Sequence, residues 1–190
     1  MSDGRRWDDL FADLEASALA DDRAAFDAEV ADRSRQEAAA LSLGDRVAAR
    51  VGRPITCWLL DGEQVTGVVR EVGAGWVLLA VTDPPPGDVL VPLAAVVAVP
   101  GLGPAARADG AGRRPLPLTV VLRGLARDRA TMRLRLVGGR LLEGTVDRVG
   151  SDHIDVAEHP ADEPRRNASV RRVVTVPLAG IQSLRVLVLG

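Results

Sequence analysis

The chain has 190 residues with 24 Arg, no Lys, 26 acidic residues, a formal charge of −2 and 47% apolar residues. That apolar content fills one ordinary domain or two small ones, and no run approaches the roughly 18 uninterrupted apolar residues of a membrane-spanning helix. A single Cys (Cys57) excludes a disulfide framework, and one Cys with two His excludes a structural zinc site.

The charge is unevenly spread: residues 1–45 carry a net −7, residues 46–106 a net −1 and residues 107–190 a net +6. The opening MSDGRRWDDLFADLE is acidic and has no apolar h-region, so the expectation is a cytoplasmic protein without a secretory signal. Within it Trp7, Leu10, Phe11 and Leu14 recur at i, i+3, i+4 and i+7, with Asp8, Asp9, Asp13 and Glu15 around them. This predicts an amphipathic helix with an anionic polar face, unsuited to an acidic membrane surface. A second helix is expected from the Asp21-Asp22 cap through Phe26 and Val30 to Leu41. Two readings of residues 1–42 stand: an acidic segment docked on the rest of the chain, or a partner-docking helix of the groove-binding type, with Trp7, Leu10, Phe11 and Leu14 as its contact face.

Beyond the head, two stretches resemble each other. A shift of 77 places Arg46–Thr82 on Arg123–His159, and a shift of 85 places VLVPLAAV (89–96) on VTVPLAGI (174–181). Each copy begins with helical spacing, over Leu43–Val51 and over Thr119–Arg129, where Leu118, Val121, Leu122 and Leu125 form one face. Strands are predicted at Ile55–Leu60, Gln64–Val72, Trp76–Val81, Val89–Val91 and Val96–Val99. Their counterparts are Thr131–Val137, Arg140–Val149, His153–Glu158, Val173–Val176 and Ile181–Leu189. Asp61-Gly62 and Gly138-Gly139 read as hairpin turns. Gly67 and Gly144 fall in mid-strand, where a bend or a close backbone approach is expected. Pro92 and Pro177 mark the turn into each last strand. The stretch 100–117, PGLGPAARADGAGRRPLP, has no apolar period and reads as a linker.

The order helix, strand–turn–bent strand, VG-x2-[WH]-[VI] and a terminal VPL-x2-[VI] strand resembles the Sm-like fold, in tandem. The resemblance implies a mainly β protein: an acidic helical segment (1–42), one five-stranded Sm-like small barrel at 43–99, a Gly/Pro/Ala linker (100–117) and a second barrel at 118–190, each barrel preceded by a short helix. The family's RNA-contacting signatures are not carried over, because GAGWV (73–77) and GSDHI (150–154) contain no Asn and LAAV and LAGI no Arg-Gly.

Chemistry-bearing patterns are sparse. His153, Asp155, Glu158 and His159 form H-x-D-x2-E-H, but residues two apart on a strand are nearly 7 Å apart, so a polar strand end is expected and no metal. Cys57 lies between Thr56 and Trp58 without a nearby His, as a small buried hydrophobe does. With no phosphate-binding Gly loop and no Ser-His-Asp set, no enzyme, catalytic residue or cofactor is expected. The functional expectation is a non-enzymatic interaction or scaffold module acting through edge strands and the acidic helix, with a protein partner or self-association; the terminal edge SLRVLVL (183–189) must be covered, by pairing with the other barrel or with another subunit. The alternative is nucleic-acid binding or regulation, with phosphates on Arg123, Arg127, Arg133, Arg135, Arg165, Arg166, Arg171 and Arg172.

Overall fold

The computed structural model describes residues 23, 26, 28–30, 32–33, 39–103, 116–160 and 170–187. The chain divides into two compact units, Met1–Leu41 and Ser42–Gly190. In the first, the described positions from Arg23 to Arg33 are helical, with Glu29 and Arg33 paired at 3.4 Å one turn apart. Phe26 is exposed on this helix, at 66%. The predicted contact face Trp7, Leu10, Phe11 and Leu14 lies outside the described residues.

In the second unit, helix α1 (Leu43–Ala48) opens on a capping box, Ser42 and Asp45 each accepting from the other's backbone N–H. Five strands follow: β1 (Pro54–Leu59), β2 (Gln64–Gly73), β3 (Trp76–Val81), β4 (Gly87–Pro92) and β5 (Val96–Ala98). The pattern then repeats as α2 (Leu118–Arg127), β6 (Thr131–Leu136), β7 (Leu141–Val149), β8 (His153–Glu158), β9 (Arg172–Pro177) and β10 (Ile181–Val186). A shift of 77 superposes the bounds of β1 on β6 and of β3 on β8, and a shift of 85 those of β4 on β9. One turn of 3₁₀ helix, Leu93–Ala95 or Leu178–Gly180, links the last two strands of each copy after its proline.

The expectation of two five-stranded barrels is corrected by the strand order. All ten strands form one antiparallel sheet, β5-β1-β2-β3-β4-β10-β6-β7-β8-β9, which is not closed. The reason is where β10 goes. Its outer side does not return to its own copy; it pairs with β4 of the first copy (Leu184 opposite Leu90, Arg185 opposite Val89), while β6 takes its other side. The 183–189 run, expected as an edge that must pair with the other barrel or with another subunit, is over its described part interior to the sheet and paired with the first copy.

One sheet wraps two cores. Val47, Ile55, Cys57, Leu59, Val69, Val77, Leu79, Val89 and Val91 fill the first, and Leu102 closes it. Leu122, Met132, Leu134, Leu142, Val146, Ile154, Val156, Val176, Ile181 and Leu184 fill the second, joined by Trp76 and Leu90 from the first copy. Alternation explains this sharing: odd residues of β3 and β4 face their own core and even ones face the other. Val89–Pro92 are consequently buried without interruption.

The mid-strand glycines are sites of close approach. A Cβ on Gly67 would sit 2.6 Å from the Ala80 carbonyl oxygen, and one on Gly144 would collide with that of Ala157, its repeat equivalent. Gly73 and Gly150 carry the rings of Trp76 and His153 directly above them, which accounts for the shared G-x2-[WH] spacing.

Candidate functional site

Among the described residues, the joint between the copies and the two sheet edges, β5 and β9, are placed to engage a partner. At the joint, cross-strand pairing aligns Leu78, Leu90, Leu184, Leu134 and Leu142 in one row over β3, β4, β10, β6 and β7. Leu118, Val121 and Leu125 of α2 pack on the same core. Burying each such leucine contributes roughly 1.5–3 kcal/mol. The Trp76 indole Nε1 donates to the Leu116 carbonyl at 2.8 Å, and the Ala74 N–H reaches the same oxygen at 3.0 Å. The start of α2 is thus tied to the β2–β3 turn.

Polar contacts frame this joint. Arg135 on β6 reaches back to the β1–β2 turn, donating to Asp61 at 2.6 Å and to Glu63 at 2.7 Å. Burial raises the Asp61 carboxyl, but the hydrogen bonds from Arg135 and the Glu63 N–H bring it to a net position below its ordinary value. Gln182 is fully buried beside them and accepts from the Asp61 N–H at 3.3 Å. Arg133 is held by Glu143 at 2.6 Å. Directly opposite it, Arg185 donates to the Pro85 carbonyl; burial first, and Arg133 second, pull its guanidinium below the ordinary value.

The two free edges differ. β5 is three residues long, shifts register against β1 between Trp58 and Leu59, and is followed by Pro100, which has no N–H to donate. Short length, irregularity and proline all blunt an edge. By contrast β9 is six residues long and pairs with β8 in unbroken register from Arg172 opposite Glu158 to Pro177 opposite His153. The Leu178 N–H bonds to Asp152 O in that same register, so even-numbered β9 amides point to β8. Those of Val173 and Thr175 point away, and both side chains are exposed. The sequence predicts this strand, as Val173–Val176, but not its place at an edge of the sheet.

Of the eight arginines expected to hold phosphate, six are described: two on α2, two on β6 and two at the start of β9. Arg123 and Arg127 are exposed on α2, Arg127 lying 3.9 Å from Asp128. Arg133 and Arg135 lie on β6, both paired to carboxylates. Arg172 is paired to Glu158, whose carboxyl it holds below the ordinary value, and Arg171 is exposed; Arg165 and Arg166 lie outside the described residues. In the first copy the equivalents of Arg123 and Arg127 do a structural job. Arg46 donates to the Gly103 carbonyl and Arg50 to those of Gly101 and Leu102, drawing the start of the 100–117 stretch onto α1.

The H-x-D-x2-E-H pattern splits. His153 is half exposed and bonded to Asp152 at 2.8 Å, whereas His159 is buried between Thr145 and the Pro160 carbonyl, each 2.8 Å away. Among the described residues no group of three or more His, Cys, Asp or Glu is arranged to hold a metal ion. Burial pushes the Cys57 thiol up to about 11. Among the described residues no helix is long and apolar enough to cross a membrane. Compared with family models, curated proteins and solved structures, the chain finds no match.

Proposed function

We propose that the protein is a non-enzymatic, cytoplasmic interaction module that takes an extended segment of a partner protein as an additional strand on β9. One observation carries this reading: β9 is a full-length, regular edge whose outward amides have no strand beside them among the described residues, while its repeat equivalent β4 fills the same side with β10. Strand addition draws affinity from main-chain hydrogen bonds, each contributing about 0.5–1.5 kcal/mol net, and specificity from alternate side chains. Nucleic-acid binding has less support, because Arg133, Arg135 and Arg172 already spend their charge on carboxylates of the chain. Kinship with Sm-like proteins is likewise a proposal, supported by the order of one helix and five strands in each copy.

The test is selection of peptides from a random-sequence library on the full chain. Selected peptides are expected to lose binding to Thr175→Pro, which removes an outward N–H and leaves the β8 ladder intact, and to keep it with Val97→Pro on the other edge. Equal binding to both variants, or no enrichment at all, overturns the reading. Val173→Pro serves as the second β9 variant if Thr175→Pro lowers the melting temperature.

A further inference from the structure

The internal repeat raises a question that the chain itself answers. Each copy has a β4-type edge and a β5-type edge, and the joint pairs the β4 edge of the first copy with the β10 edge of the second. Among the described residues, what remains free is β9, equivalent to β4, and β5, equivalent to β10. A second molecule could in principle repeat the joint there, head to tail, and such a heterologous contact closes into a ring or grows without limit.

The residues that make the joint specific are replaced at the free ends. In the first copy Trp76, Leu78 and Leu90 face the second core. Their equivalents in the second copy are His153, Asp155 and Thr175, half exposed or exposed, with the Thr175 hydroxyl donating to Asp155 at 2.7 Å. The leucine row that crosses the joint therefore becomes an Asp155–Thr175 row at the outer side. On the receiving end, the β10 residues that pair with β4 are Leu184 and Arg185, and their first-copy equivalents, just past the end of β5, are Val99 and Pro100. Pro100 removes a ladder donor at that place. The ion pairs are missing too: Asp61 and Glu63 become Gly138 and Arg140, and Arg135 becomes Trp58. A joint rebuilt between molecules would draw Asp155, which stands opposite Arg148 of β7, out of water against an apolar strand, and taking a charge out of water costs several kcal/mol even when it is paired.

We infer that the joint is made once per chain and is terminated at both ends, so that the segment added to β9 is not the β5 edge of a second copy. These replacements fall at the joint positions, while the strand residues that face each copy's own core stay apolar in both (Ile55, Cys57, Val69, Val77 and Leu79 against Met132, Leu134, Val146, Ile154 and Val156), the pattern by which sheets prevent edge-to-edge growth. On the β9 reading, on which this last step alone rests, the incoming segment presents a hydrogen-bonding or cationic side chain opposite Thr175, in line with Asp155, where β10 presents Leu184.

The test traps the contact itself. Thr175→Cys with Val99→Cys puts thiols at the places equivalent to Leu90 and Leu184; on oxidation the chains are expected to stay unlinked as concentration rises. Leu90→Cys with Leu184→Cys is the control, expected to form a disulfide within each chain. A further variant, His153→Trp with Asp155→Leu, Thr175→Leu and Pro100→Arg, is expected to raise the mass in light scattering above that of one chain. Disulfide-linked ladders from the first variant overturn the inference. Should the four-fold variant not fold, the ladder assay decides alone. Peptide binding at β9 does not enter either readout, so failure of one reading leaves the other standing.

Discussion

At Gly144 the backbone of β7 passes so close to the Ala157 carbonyl that no side chain fits, and Gly67 repeats the approach against Ala80. Gly144→Ala must push backbone against backbone and is expected to destabilise the chain by about 3 kcal/mol in urea unfolding; Gly124→Ala, on the open side of α2, should stabilise by about 0.5–1 kcal/mol. Both mid-strand glycines were legible because a residue poor in a strand recurs at the same place in each copy. The Asp61–Arg135 pair was not, since 74 residues separate its members and nothing local links them. Its pH behaviour follows from the sign of the shift. Asp61 binds its proton less readily folded than unfolded, so its contribution is full above the ordinary carboxylate value and drains away as pH falls through the lower folded one. Asp61→Asn should therefore flatten the acid limb of the stability curve, and Arg135→Ala should cost about 2 kcal/mol at neutral pH. Melting temperature against pH for the three proteins checks both.

Among the elements, β4 and β10 bear the largest share of the joint. The VLVP run of β4 could be read as apolar throughout, but which core each side chain enters depends on its neighbour, and that neighbour lies some ninety residues on. Likewise β5 and β10 begin alike, with Val96 and Ile181, but differ at once in Val97 and Ala98 against Gln182 and Ser183, and again at Pro100 against Arg185. The W-to-H change at Trp76 and His153 was visible in the repeat as a bare difference. Its meaning needs the sheet order: one ring is buried at a seam and the other stands at an outer strand. Leu184→Asp is expected to cost more than about 4 kcal/mol and to unfold both copies together, whereas Val97→Asp, at a position 62% exposed, should stay within about 0.5 kcal/mol of the parent. Circular dichroism melts distinguish the two.

On the scale of the molecule, two lobes were expected and one continuous sheet is observed, because helix and strand spacing within each copy says nothing about whether a terminal strand closes on its own copy or on the next. Both cores lie within Ser42–Gly190, so a chain beginning at Ser42 is expected to unfold in one cooperative step, checked by agreement of calorimetric and van't Hoff enthalpies. Two well-separated transitions would say that the seam is weaker than either core.

The placing of Trp76 and Leu90 inside the neighbouring core makes the halves obligate companions. Produced as separate polypeptides, residues 42–103 would carry a greasy, unsheltered flank and residues 116–190 a gap where an indole belongs, and soluble protein would return only when the two are mixed. Duplication has here ended the independence of its own products: the leading half can no longer lose its oily outer strand, while the trailing half was free to turn its own toward water.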